Sequence, residues 1–149
     1  MTLSLRMVPF ALLLAGLAVA ATSCGDDDDV SGIDTLAAIS FIDGAGLHDI
    51  DTSINESKNV PADAQAKARK LESVTAGAAW PDELEDEAAA VETAFKELAE
   101  VLDADTPDLA KAGAAAKKAH DTAHDFSGLV WNHIREEAGL EVEEGAAHD

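Results

Sequence analysis

Three prolines divide the chain into segments with helical periodicity. Pro61, Pro81 and Pro107 each stand at the start of such a segment. Proline favours the first turn of a helix, because its missing N–H needs no partner there. Acidic residues follow each proline, and their charge suits the positive end of a helix. The prolines therefore predict four helices, over residues 33–55, 61–79, 81–103 and 106–138.

The apolar residues of each segment recur at spacings of three and four. The same spacing places Leu36 among the inward residues of the first segment and Leu109 among those of the fourth. Such a stripe is typical of helices that pack at shallow angles, and no alternating strand pattern is present. Short connections force neighbouring helices to run antiparallel, so we expect an all-α fold, an antiparallel up-down-up-down four-helix bundle. The heptads of the third segment fit an internal core and a dimer seam equally well.

The first residues have the layout of an export signal. Arg6 is followed by an apolar run over residues 10–21 and by small residues up to Cys24. That run is shorter than the ~20 apolar residues of a membrane-spanning helix. The sequence Ala21-Thr22-Ser23-Cys24 resembles the lipobox of bacterial lipoproteins, with Ala21 where the family usually has leucine.

The lipoprotein resemblance implies cleavage before Cys24 and acylation of its thiol and amine, which gives lasting membrane attachment. The alternative is a secretory signal with an incidental cysteine, but Cys24 is the only cysteine and stands at the lipobox position. It also has no partner for a disulfide within the chain. We expect a protein anchored to the cell membrane or outer membrane that faces the periplasm or the cell exterior. The predicted divisions are a signal peptide (1–23), an acidic tether (24–32), the bundle (33–138) and an acidic disordered tail (139–149).

The net charge of −20 limits the partners. Such a surface repels nucleic acid and anionic lipid headgroups, so contact with the membrane is expected through the lipid anchor alone. An envelope protein, a cationic peptide or a divalent cation remains a candidate partner. The alternative is that the charge only keeps an alanine-rich surface solvated.

Standard catalytic motifs are absent from the sequence. It contains no Gly-x-Ser-x-Gly, no phosphate-binding glycine loop and no Cys-x-x-Cys-His. Both methionines lie in the predicted signal peptide, so the mature chain has none for His/Met haem ligation. We expect no enzyme activity. The two hypotheses are a non-catalytic binding module and a structural or protein-interaction lipoprotein without a metal site.

Histidines supply the candidate metal ligands. His120 and His124 are four residues apart, so both lie on the same side of the fourth helix. If the first and fourth helices are antiparallel neighbours, a rise of about 1.5 Å per residue brings His48 to the same level, with Asp51 beside it. This set of nitrogen and oxygen ligands fits Zn, Cu(II) or Fe. All three histidines lie at the flanks of the apolar stripes, however, where histidine is often only a solvated polar residue.

The first segment also carries a motif. Its hexapeptide Gly46-Leu47-His48-Asp49-Ile50-Asp51 resembles the Gly-x-His-x-x-Glu motif of imelysin-like periplasmic helical proteins, which are linked to iron handling. Asp51 stands where that family has glutamate. The resemblance implies His48 and Asp51 as metal ligands.

Asp43 lies just before this motif, near the inward stripe of its helix, and has two interpretations. Either it is buried and pairs with His133, or Asp43-Gly44-Ala45-Gly46 breaks the helix and lets Asp43 reach water.

Overall fold

The structure is a computed structural model that describes residues 32–141. The predicted signal peptide, Cys24, the tether up to residue 31 and the tail from residue 142 lie outside the described residues. The described part forms α1 (Gly32–Asp43), α2 (Leu47–Asn55), α3 (Ala64–Gly77), a 3₁₀ turn (Asp82–Leu84), α4 (Glu85–Val101) and α5 (Leu109–Glu137). No strand occurs within these residues, and the all-α class is confirmed.

The first predicted helix is two helices. Gly46 has φ of 72°, a left-handed conformation that favours glycine and separates α1 from α2. Asp43 is exposed at the end of α1, and Trp131 Nε1 donates a hydrogen bond to its Oδ2 at 2.9 Å. The predicted continuous helix over residues 33–55 is therefore wrong, as is the pairing of Asp43 with His133. The alternative, a break that lets Asp43 reach water, is confirmed.

The longest helix, α5, packs against α1, α2 and α4, while α3 packs mainly on α4. The face of α5 that meets its neighbours is built largely of small buried residues, Ala112, Gly113, Ala116, Ala119 and Ala123. Small side chains let neighbouring backbones approach closely. Towards its end α5 changes to larger core residues, Phe126 and Val130, which are almost fully buried.

The corner between α3 and α4 is fastened to the rest of the core. Trp80 Nε1 donates to the carbonyl of Thr75 at 2.8 Å, which satisfies the indole N–H in a buried position. The Trp80 ring meets Phe126 of α5 edge-on, with centroids 4.9 Å apart. Thr35 of α1 donates to the carbonyl of Ala79 at 3.1 Å. The corner therefore contacts α1 and α5 as well as the two helices that it joins.

Two residues predicted to face inward are on the surface. Leu36 is 40% exposed and Leu109 is 41% exposed. Thr35 beside Leu36 and Ala112 three residues after Leu109 are buried, so the two leucines lie on the outer side of their helices. Within residues 32–141, no helix combines the length and the apolar character that crossing a membrane requires.

Candidate functional site

Three of the four predicted ligands meet where α2 packs against α5. His48 and Asp51 lie on α2 and His120 lies on α5. The rings of His48 and His120 are in contact, with centroids 5.3 Å apart and planes inclined by 64°. Asp51 Oδ2 lies 3.2 Å from His120 Nδ1. The count along the helices predicted His48 at the level of the pair His120 and His124, nearer to His124, and the structure places its ring against that of His120. Metal binding by these residues stays a prediction.

Both oxygens of Asp51 are engaged. Oδ2 contacts His120 Nδ1, and Oδ1 accepts a hydrogen bond of 2.6 Å from Asn55 Nδ2. Asn55 Nδ2 also donates to the carbonyl of Gly113 on α5 at 2.9 Å. The side chains of Asp51 and His120 are only 19% and 26% exposed, so water competes weakly for these contacts. The result is a series of polar contacts from the Gly113 carbonyl on α5, through Asn55 and Asp51 on α2, to His120 on α5.

Gly113 makes this chain of contacts possible. A Cβ atom at this position would overlap Asn55 Oδ1 and lie 3.0 Å from Asn55 Cγ. The glycine in the Ala-Gly-Ala-Ala-Ala stretch of α5 therefore leaves room for the Asn55 side chain to rest on the helix backbone. A glycine inside a helix usually weakens it, and here the close approach of a polar side chain is the structural reason for one.

A charged pair borders the site on the solvent side. Lys117 Nζ lies 2.7 Å from Asp121 Oδ2, one turn away on α5. The hydrogen bond with Asp121 and the charge of that carboxylate raise the pKa of Lys117, and the charge of Asp51 acts in the same direction. Asp121 is thus held by a cation, which makes it a poor competitor for any second cation at the site.

The two imidazoles are in edge-to-face contact, and their centroid distance is also one that a shared metal ion produces. Two imidazoles that bind one tetrahedral zinc through nitrogens at about 2.0–2.1 Å have ring centroids roughly 5 Å apart. The observed 5.3 Å between His48 and His120 is close to that separation. No group of three or more His, Cys, Asp or Glu side chains within residues 32–141 is arranged to hold a metal ion. The arrangement therefore offers two imidazoles, and water or a further side chain would complete a coordination shell.

The fourth predicted ligand, His124, lies one helical turn beyond His120 on α5, and its side chain is exposed. Two residues that sequence reasoning missed belong to the site, namely Asn55 and Gly113. Asn55 follows Asp51 by four residues, a spacing that places both on one face of a helix and could have revealed their contact.

The remaining described histidine has different neighbours. His133 Nδ1 lies 3.0 Å from Glu83 Oε1, and His133 Nε2 lies 3.4 Å from Glu137 Oε1. Its two nitrogens therefore face two different carboxylates, one in the 3₁₀ turn and one on α5. This arrangement ties α5 to the start of α4 and does not direct two ligands at one point.

A hollow of about 710 Å³ opens between the end of α3 and the start of α4. Alanines of both helices and Trp80 form its apolar lining, and Asp82, Glu85 and Glu92 contribute carboxylates. No lysine, arginine or histidine of the described chain is among its lining residues. The hollow is therefore an acidic recess with a floor of small side chains.

Comparisons of the chain with protein-family models, with curated proteins and with solved structures find no match. The resemblances to lipoproteins and to imelysin-like proteins rest on their short motifs.

Proposed function

We propose that the chain is a membrane-anchored lipoprotein whose helices form a non-catalytic binding module for a transition metal. The lipobox-like sequence ending at Cys24 supports the anchor and a location outside the cytoplasm. The pair His48 and His120 is the proposed binding site. The resident ion in this proposal is Zn, Cu(II) or Fe, since imidazole suits all three.

The observation that carries the proposal is the contact between two imidazoles from different helices. The two rings are in edge-to-face contact at a centroid distance close to that of two imidazoles that share a zinc ion, and a half-buried carboxylate lies behind one of them. Histidines that bind metals usually donate their second ring N–H to a carboxylate or carbonyl group. His120 has such a partner in Asp51.

The proposed architecture is the antiparallel up-down-up-down bundle, with the first helix broken into α1 and α2. Three contacts support it. Asp43 bonds Trp131, Asp51 contacts His120, and Asn55 bonds Gly113. As the chain advances through α1 and α2, its partners on α5 therefore move back towards the start of that helix.

Calorimetric titration of the full chain, purified in detergent, with Zn(II), Cu(II) and Fe(II) tests metal binding. We expect one ion per chain and a melting temperature that rises with metal, because a ligand at 100 times its Kd stabilises the native state by about 2.7 kcal/mol. The variants His48→Ala and His120→Ala should lose both effects. His124→Ala reports whether His124 completes the coordination shell.

The matched control for these variants is His148→Ala, in the predicted tail. It should bind metal as the unaltered chain does. Equal binding by the unaltered chain and by the His48→Ala/His120→Ala double variant would contradict the proposed site.

The acidic hollow favours a second candidate function, an interaction lipoprotein that holds a cationic segment of an envelope protein. Its carboxylates complement a positive charge, and its alanine floor suits methylene groups. A short oligolysine peptide is the probe, and Glu85→Gln/Glu92→Gln should weaken its binding more than Glu100→Gln, an exposed position elsewhere on α4. Equal binding by all three proteins would rule out the hollow as the docking site.

A further inference from the structure

We infer that Asp51 is a positioning residue, which holds His120 in the tautomer with the proton on Nδ1 and so presents Nε2 to a ligand. The role of this tautomer rests on the proposed function, because a metal ion is the ligand that an unprotonated imidazole nitrogen would bind. The imelysin-like motif instead implied that Asp51 itself is a metal ligand.

The first step of the argument is the occupancy of the Asp51 carboxylate. Oδ1 accepts from Asn55 and Oδ2 faces His120 Nδ1. A carboxylate oxygen that served as a metal ligand would have to give up or share one of these contacts. The donor from Asn55 is in turn fixed by its bond to the Gly113 carbonyl. Asp51 is thus oriented towards His120 by a residue that is itself held on α5.

The second step is the direction of the bond. An ionised carboxylate can only accept hydrogen bonds, so the nitrogen that faces it must carry the proton. A neutral imidazole with its proton on Nδ1 has its lone pair on Nε2. Nε2 is therefore the nitrogen of His120 that is able to bind a metal ion.

The third step is the consequence for affinity. A carboxylate behind a metal-binding histidine fixes the ring orientation and makes the free nitrogen more basic, and its loss typically weakens metal binding 10- to 100-fold. Loss of the histidine itself removes a ligand and should abolish binding. Asp51 and His120 should therefore differ in how strongly their substitutions affect zinc.

The test reads the tautomer directly, in the full chain without metal. Long-range ¹H–¹⁵N correlation spectra of ¹⁵N-histidine-labelled protein, recorded in mildly alkaline buffer, should show the His120 proton on Nδ1. In Asp51→Ala we expect the proton to move to Nε2, and zinc binding to weaken by about 10- to 100-fold. Asp51→Asn replaces one of the two engaged acceptor oxygens by an N–H₂ donor, so it should also lose the tautomer and weaken zinc binding as Asp51→Ala does. The control is Asp49→Ala, an exposed position of α2 that should change neither readout.

The outcomes separate this inference from the proposed function. A proton on Nε2 of His120 in the unaltered chain would overturn the positioning role, whether or not zinc binds. Loss of zinc binding in Asp51→Ala as complete as in His120→Ala, rather than a weakening of about 10- to 100-fold, would make Asp51 a ligand and also overturn it. The expected tautomer in a chain that binds no Zn(II), Cu(II) or Fe(II) would leave the hydrogen bond established and refute the proposed function.

Discussion

At the scale of single residues, Gly113 is the described glycine that has least room for a side chain. A methyl group there would collide with Asn55, which cannot move without breaking its bonds to Asp51 and to the Gly113 carbonyl. We expect Gly113→Ala to lower the free energy of unfolding by about 1–3 kcal/mol, as overpacking does, despite the better helix propensity of alanine. Urea-induced unfolding followed by circular dichroism measures the change.

Gly128 provides the matched control in the same helix. It is exposed, and a Cβ there would meet nothing within 4 Å. Gly128→Ala should therefore raise the free energy of unfolding by about 0.5–1 kcal/mol. Stabilisation of similar size by both substitutions would mean that Asn55 does not rest on Gly113.

The ligand candidates show what residue-level reasoning could reach. Counting helical rise placed His48 at the level of the pair His120 and His124, because rise depends only on the number of residues. The count was closer for His124 than for His120, whose ring His48 contacts. The angular position around the helix axis was less informative, since it placed both histidines at the flank of an apolar stripe and did not determine whether their side chains touch. The link from Asn55 to Gly113 depends on how closely α2 approaches α5, and no pattern within either helix determines that distance.

At the scale of elements, the start of α5 depends on Asp108. Its Oδ1 accepts from the backbone N–H groups of Ala110 and Lys111, which have no partner within the helix. We expect Asp108→Ala to cost about 1 kcal/mol of stability, and Asp108→Ser to recover most of it, because serine is also a good N-cap. Thermal unfolding measures both.

The control for the cap is Asp105→Ala, in the loop that precedes α5. This variant removes the same charge from the same loop without removing a cap. If it destabilises the protein as much as Asp108→Ala does, the loss reflects charge rather than capping.

Prolines predicted the number of helical segments better than the helix bounds. Helix α3 begins at Ala64, three residues after Pro61, and α4 begins at Glu85 after a 3₁₀ turn that follows Pro81. The carbonyl of each of these two prolines accepts the first hydrogen bond of a turn. The donors are Ala64 N–H for Pro61 and Leu84 N–H for Pro81. The break at Gly46 was harder to predict, because the apolar spacing continues across it while the backbone does not.

At the scale of the whole molecule, Phe126 connects α5 to the corner between α3 and α4. It is 2% exposed and packs edge-on against Trp80. Phe126→Ala should lower the free energy of unfolding by about 3–5 kcal/mol, through lost burial and the cavity that remains. Chemical denaturation with circular dichroism and fluorescence detection measures it.

Leu129 is the control for this prediction, since it lies on the same helix and is 43% exposed. Leu129→Ala should change stability by no more than about 0.5 kcal/mol, as surface substitutions usually do. A large loss at Leu129 with little loss at Phe126 would place the core on the other side of α5.

The apolar stripes determine the class of the fold because a helix with one apolar face must bury it against another helix. The six stripe positions from Leu84 to Leu102 are all buried, as the heptads predicted. Leu36 and Leu109 follow the same spacing but are exposed, although Thr35 beside Leu36 and Ala112 three residues after Leu109 are buried. The acidic hollow had no counterpart in the sequence, since it forms between the end of α3 and the start of α4, two segments that were predicted separately.

The two tryptophans have different surroundings, so their fluorescence can report the unfolding of two different parts of the molecule. The chain contains no tyrosine, so Trp80 and Trp131 dominate its intrinsic fluorescence. Trp80 is buried against Phe126, whereas Trp131 is partly accessible and bonded to Asp43 at the end of α1. Each Trp→Phe variant leaves one emitter: Trp80 reports the integrity of the α3–α4 corner, and Trp131 reports the detachment of α1 from α5. The two signals together distinguish local detachment of α1 from global unfolding of the core.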